Sequence, residues 1–341
     1  MKRASAGLAR DDDPLGMFRN WKPDRVHKAV VENSRIRVGA AATQGAKRRM
    51  EDVYTVIPDL DAKSSFIAVF DGHGGCAAAR FCARNLHRHL VASSHYKKGD
   101  FASGFREVFL KMDEMMQSKA GTEELERLER ENTSPLYSWN SITGTSPGSH
   151  GTTAVAVLVR DDKLVIAHAG DSYCIIWRDN QAVPVTIDHN VQSRPDDAER
   201  ATRAGAVVMK NKWIQLNGVS VGGEVGAMGL QVTRSLGDFR WKSNAGLGRD
   251  EQAVVALPDV VEIDLRRDGG CEFLVLASDG VPRECVESIC PSIHDWLVEK
   301  ESSVGQAMQL AFFCDSMQAM SVEDNKTVVV VQLKHPCGCS L

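Results

Sequence analysis

The chain has 341 residues, 43% hydrophobic and 25% charged, an ordinary balance for a globular protein forming one large domain or two small ones. Its 41 basic and 45 acidic side chains give a formal charge of −4, which excludes a global basic field for nucleic acid or anionic membrane. Nine cysteines, an odd number scattered singly, argue against a disulfide framework and for reduced thiols in an intracellular protein, cytoplasmic or nuclear.

Residues 1–34 mix charge and proline with few periodic apolar positions and read as an N-terminal extension without the apolar h-region of a secretory signal. The folded domain is expected over 35–334, and no run in it approaches the length of a membrane span. Ser65–Phe70, Thr153–Val159, Leu164–Ala169, Tyr173–Trp177, Phe273–Ala277 and Thr327–Leu333 read as strands bounded by glycine, aspartate or asparagine. Ala78, Phe81, Cys82, Leu86 and Leu90 fall at helical spacing, as do Phe101, Phe105, Val108, Phe109 and Met112, and again Val304, Ala307, Met308, Ala311 and Phe312. Between Thr153 and Trp177 only Asp161-Asp162 and Gly170-Asp171 separate successive strands, which favours an antiparallel meander with helices packed outside. Residues 119–151, acidic and then rich in Ser, Thr, Gly and Pro, and the glycine-rich 206–230 read as surface insertions, the second as a flap. In the tail, 335–341, a prenylation box would need cysteine where Gly338 stands.

Chemistry concentrates at strand ends. Ala68-Val69-Phe70 runs directly into Asp71-Gly72-His73, which sets a hard oxygen ligand, a glycine whose carbonyl can approach an ion and a neutral-pH proton carrier within three positions. Read alone, the segment fits a solvated turn as well as a metal site. Glu51-Asp52, Asp171, Asp279 and Asp324 occupy similar strand-end or turn positions. Were these carboxylates to converge, each pair about 4 Å apart would repel by roughly 4 kcal/mol at an effective dielectric near 20. Protonation relieves such repulsion, and divalent cations relieve it better; all-oxygen ligation selects magnesium or manganese over zinc. Two such ions can activate water for in-line attack on phosphorus, and Lys47, Arg48 and Arg49, just before Glu51, are candidates to hold the phosphate oxygens.

In order and wording the motifs resemble the metal-dependent protein serine/threonine phosphatases of type 2C. The resemblance runs from Gly39 to Leu333 and rests on Arg49-Met50-Glu51-Asp52, Phe70 to Gly75, Gly151 to Ala154, Ala169 to Ser172, Glu199 to Gly205, Val232 to Asp238, Ala277 to Gly280 and Glu323 to Val328. It implies an α+β fold, a four-layer αββα sandwich of two antiparallel β-sheets packed face to face with helices on both outer sides. It also implies two Mn or Mg ions. Asp71 would bridge them, the Gly72 carbonyl would bind the second, Asp279 and Asp324 the first, and Glu51 and Asp52 would act through ordered water. Asp171 with Asp279 would hold a weaker third ion, and His73 would protonate the departing serine or threonine oxygen. The expected partners are phosphoprotein substrates, met by a monomer.

Three departures stand out. Lys47 occupies the place of the family's phosphate-binding arginine and lacks the bidentate fork. Val281-Pro282-Arg283 follows Gly280 where the family continues with tryptophan and an acid, and an arginine beside the metals would repel a cation, weakening the third ion, or attract phosphate. Val219 to Met228 is an insertion in the flap. Among rivals, an aspartate-nucleophile phosphatase built on Asp59-Leu60-Asp61 lacks the residues that should follow, and a kinase lacks a glycine-rich loop. A catalytically weak or silent phosphatase fold serving as a scaffold is the alternative to an enzyme.

Overall fold

The computed structural model describes residues 27–131, 150–210, 212–216, 220–221, 224–225, 229–266, 270–299 and 324–334. The chain opens with β1 (His27–Glu32), β2 (Ile36–Thr43), β3 (Val53–Ile57), β4 (Ser64–Phe70) and the two-residue β5 (Gly72–His73). Four helices follow: α1 (Ala77–Ala92), α2 (Ser94–Lys98), α3 (Phe101–Gln117) and α4 (Lys119–Arg130). Next come β6 (Gly151–Thr152), β7 (Ala154–Arg160), β8 (Lys163–Ala169), β9 (Tyr173–Arg178), β10 (Gln181–Pro184) and α5 (Pro195–Arg203). The short strands β11 (Ala206–Met209), β12 (Trp213–Leu216), β13 (Ser220–Val221), β14 (Glu224–Val225), β15 (Gly229–Leu230) and β16 (Leu236–Gly237) precede β17 (Asp259–Asp264), β18 (Cys271–Ala277), α6 (Arg283–Glu299) and β19 (Lys326–Leu333).

Two antiparallel sheets carry the fold, one ordered β1-β2-β19-β18-β9-β10 and the other β17-β8-β7-β4-β3. Their strands are apolar on both faces because both faces are covered. In β7, Val155 and Val157 point between the sheets to meet Val38, Ile176, Leu276 and Val329. Ala154, Ala156 and Leu158 point the other way, onto Phe81, Leu86, Phe105 and Phe109 of α1 and α3. On the far side, Ile175, Val275 and Val330 pack against Val286, Ile289 and Ile293 of α6. Each such side chain contributes about 1.5–3 kcal/mol by leaving water. The layers are therefore αββα, as the family resemblance implies.

Two segments behave differently from their sequence. His27–Glu32, within the stretch read as an extension, form a strand in register with β2, from His27 opposite Ala42 to Glu32 opposite Arg37. Residues 119–130, read as the start of a surface insertion, form α4, which buries Leu128 and Glu129 against α1 and α3. The apolar face of α4 is too narrow to stand out among its charges. The expected helix around Val304–Phe312 and the remainder of that insertion, 132–149, lie outside the described residues. Among the described residues, no helix is long and apolar enough to cross a membrane.

Candidate active site

Five carboxylates from five separate strand ends line one cavity of about 280 Å³: Asp71 after β4, Asp171 between β8 and β9, Asp238 after β16, Asp279 after β18 and Asp324 before β19. A three-stranded miniature sheet, β16-β6-β5, sets one side of it. Its register places Gly72 opposite Thr152, and Thr152 opposite Leu236, so three distant motifs lie side by side. The Asp71 carbonyl accepts from Thr153 N (2.9 Å) and Thr152 Oγ1 (3.0 Å), which pins the turn. Gly72 is required by crowding: a Cβ there would fall 2.5 Å from the Glu51 carbonyl oxygen.

The other acids are held from behind. Ser278 Oγ donates to Asp52 Oδ2 (2.7 Å) and accepts from Thr327 N (3.0 Å), tying the loop after β18 to β19. Asn325 accepts from Glu51 N (2.8 Å) and donates to the carbonyls of Gln44 (2.7 Å) and Arg49 (2.9 Å), which moors the 44–51 loop beside Asp324. Glu51 and Asp52 stand at the edge of the cavity rather than in its lining.

The electrostatics are those of acids forced together out of water. Desolvation, then the neighbouring carboxylates of Asp52 and Asp279, push Asp71 well above the usual carboxylate range. Desolvation and Asp279 raise Asp52 and Asp171, each to about 7. Buried, mutually repelling, all-oxygen donors are the set that hard divalent cations satisfy, so the residues present fit Mn or Mg. At His73, burial pulls the imidazole down and the Asp238 carboxylate, 2.8 Å from Nε2, more than reverses this, so its pKa is raised.

The basic trio divides. Lys47 lines the cavity, with Nζ 2.7 Å from Asp324 Oδ1. Arg48 is exposed and outside the lining, and Arg49 turns away to Glu129, with Nη1 2.5 Å from Oε1. Arg283 does not stand free beside the acids. Its guanidinium pairs with Asp188, donates to the Thr186 carbonyl (2.8 Å) and lies 4.9 Å from the Tyr173 ring centre, so its charge is spent away from the cavity.

Three residues escaped sequence reasoning. Glu129, fully buried at the end of α4, accepts from Cys76 N (2.9 Å) and Ala77 N (3.2 Å) and so caps α1, which has no cap of its own, while holding Arg49. Asn325 and Asp238 lie within the family motifs but have partners 274 and 165 residues away, and spacing carries no such signal. Trp213 and Leu230 from the flap region, and Trp241 beyond it, add apolar surface to the cavity lining.

A second group with metal-like spacing lies elsewhere: ligand atoms of His168, His189 and Asp259 fall within 4.8 Å of one another. Both imidazoles are pushed down to about 3, chiefly by desolvation. His189 Nδ1 already accepts from Gly170 N (3.2 Å), and Asp259 is paired with Arg194 and Arg234. Two guanidiniums beside one carboxylate leave local positive charge, which opposes a cation, and we read the group as structural.

A family model described as protein phosphatase 2C matches residues 36–325. The chain belongs to the protein phosphatase 2C family. It is 33% identical over 336 residues to "Probable protein phosphatase 2C 21" of Arabidopsis thaliana, covering 89% of each chain. It is 31% identical over 332 residues to "Probable protein phosphatase 2C 58" of Oryza sativa subsp. japonica, covering 89% of this chain and 86% of that one. In fold it is similar to the crystal structure of a serine-threonine phosphatase 2C from Toxoplasma gondii, with a TM-score of 0.66, 17% identity, and coverage of 91% of this chain and 99% of that one. The sandwich is thus that of the 2C phosphatases, a family of metal-dependent hydrolases.

Proposed function

We propose that this 2C-family chain hydrolyses phosphoserine and phosphothreonine in proteins, using two Mn or Mg ions. The observation that carries the reading is the convergence of Asp71, Asp171, Asp279 and Asp324 with His73 on one cavity. Asp71, the Gly72 carbonyl, Asp279 and Asp324 would hold the two ions, Glu51 and Asp52 would act through ordered water, and Asp171 with Asp279 would hold a weaker third. When bound, the ions supply an activated water for in-line attack and neutralise the phosphate.

The chain's own residues do the rest. Lys47 brings an ammonium to the phosphate oxygens, its pKa raised because the Asp324 carboxylate outweighs desolvation. As a point charge it orients phosphate less tightly than a forked guanidinium. His73, kept charged by Asp238, protonates the departing alkoxide, a poor leaving group without a proton. The apolar lining of Trp213, Leu230 and Trp241 excludes water from one side and offers a surface to the peptide around the phosphorylated residue.

The test joins binding to turnover. Titrating Mn into Asp71→Asn by calorimetry is expected to show loss of the tight sites, with phosphothreonine hydrolysis reduced at least about 100-fold. Unchanged Mn binding in Asp71→Asn would remove Asp71 as a ligand, and full turnover would remove the two-ion reading.

A further inference from the structure

Asp238 is built into a costly position. It is 3% exposed and has φ +54°, left-handed backbone that a residue other than glycine enters at a cost of order 1 kcal/mol. Its amide donates to the His150 carbonyl (2.9 Å), and Oδ2 accepts from Ser235 Oγ (2.5 Å) while lying 2.8 Å from His73 Nε2. The turn is braced from behind. Gly237 N donates to Asp113 Oδ1 (2.8 Å), and Lys242 Nζ donates to Asp113 Oδ2 (2.6 Å) and the Ser235 carbonyl (2.7 Å). From the front, Gly151 passes so close that a Cβ would fall 2.2 Å from Asp238 Oδ2 and 2.3 Å from His73 Nε2. Only glycine leaves room for the pair. A strained residue, a buried brace and a cleared approach thus serve a single contact, carboxylate against imidazole.

We propose that Asp238, oriented by Ser235, is a positioning residue for the reaction: it accepts a hydrogen bond from the Nε2–H of His73, fixes the ring, and leaves the Nδ1–H as the proton delivered to the leaving group. The inference rests on the phosphatase reading above. The step balances. Water oxygen forms the new P–O bond, the bond from phosphorus to the seryl or threonyl oxygen breaks with its electron pair staying on that oxygen, and the Nδ1 proton moves onto it. The proton lost by the attacking water restores the imidazolium, and the Nε2 proton stays on the ring throughout, donated in a hydrogen bond to Asp238.

The experiment compares leaving groups in the full chain with Mn. In Asp238→Asn, kcat on a phosphothreonine peptide is expected to fall about 10- to 100-fold with KM within about twofold, since general acid catalysis contributes about 10²–10⁴. For p-nitrophenyl phosphate, whose leaving group departs without a proton, kcat is expected to change by less than about threefold. In a His73→Ala background, Asp238→Asn is expected to add no further loss on the peptide. Ser235→Ala, which removes one hydroxyl, is expected to give the same pattern at smaller size and serves if Asp238→Asn does not fold. Equal losses on both substrates, or additive losses with His73→Ala, would overturn the proposal while leaving the phosphatase reading intact. A wild-type chain inactive on both substrates would instead remove that reading. Positioning is then tested by nitrogen-15 NMR: loss of a downfield His73 Nε2–H resonance in Asp238→Asn supports it, and an unchanged resonance overturns it.

Discussion

At the scale of single residues, the division of labour among Lys47, Arg48 and Arg49 follows from what each touches. Lys47 faces the cavity, Arg48 faces solvent and Arg49 is committed to Glu129. Lys47→Ala is therefore expected to weaken inhibition by free phosphate about tenfold, the scale of one charge-assisted contact, whereas Arg48→Ala changes it by less than about twofold. Measured inhibition constants for the two variants check this, and a larger effect from Arg48→Ala would reverse the assignment. Three adjacent basic residues look alike in sequence; the buried carboxylate that captures one of them comes from residue 129 and has no local signature. The acids were legible for the opposite reason. Asp71 and Asp279 end apolar runs, Asp171 sits at a glycine turn and Asp324 just precedes an apolar run, so local pattern alone placed them at strand ends. The pairing of Arg283 with Asp188 had no local sign, since the two lie 95 residues apart.

At the scale of elements, α4 couples the helical layer to the 44–51 loop. Glu129, itself fully buried, satisfies two backbone N–H groups at the start of α1 and pairs with the partly buried Arg49. Removing one partner from such a buried set strands the others, so Glu129→Ala is expected to cost about 3–5 kcal/mol in urea unfolding. A loss below about 0.5 kcal/mol would mean that α4 is an ornament on the fold. Strands β4, β7, β8, β9, β18 and β19 were readable as continuous apolar runs bounded by turn residues, and the helices α1 and α3 as apolar stripes of period 3.6, whereas β2, β3, β10 and β17 were not picked out. Nor were the strand β1 and the helix α4: β1 is an edge strand specified mainly by its pairing with β2, and α4 is charged over most of its surface.

At the scale of the whole molecule, the fold holds together carboxylates that would separate if the chain unfolded. Asp52 and Asp171 have folded-state values of about 7 against an ordinary 3.8, so the native state binds more protons than the unfolded chain across that interval. Stability of the metal-free protein is thus expected to fall as pH rises from about 4 to about 7, and added Mn to raise Tm more at pH 8 than at pH 5. Thermal melts with and without Mn check the sign, and a metal-free protein that gains stability over that interval would contradict it. The two sheets supply the rigidity for this arrangement, since the strand ends bearing Asp71, Asp171 and Asp279 emerge from a core packed on both faces. The most direct measurement is release of phosphate from a phosphothreonine peptide as Mn is titrated into chelator-treated protein. The expected result is activity that appears with Mn and vanishes on chelation; turnover undiminished in excess chelator, or none at any Mn concentration, would contradict the two-ion phosphatase.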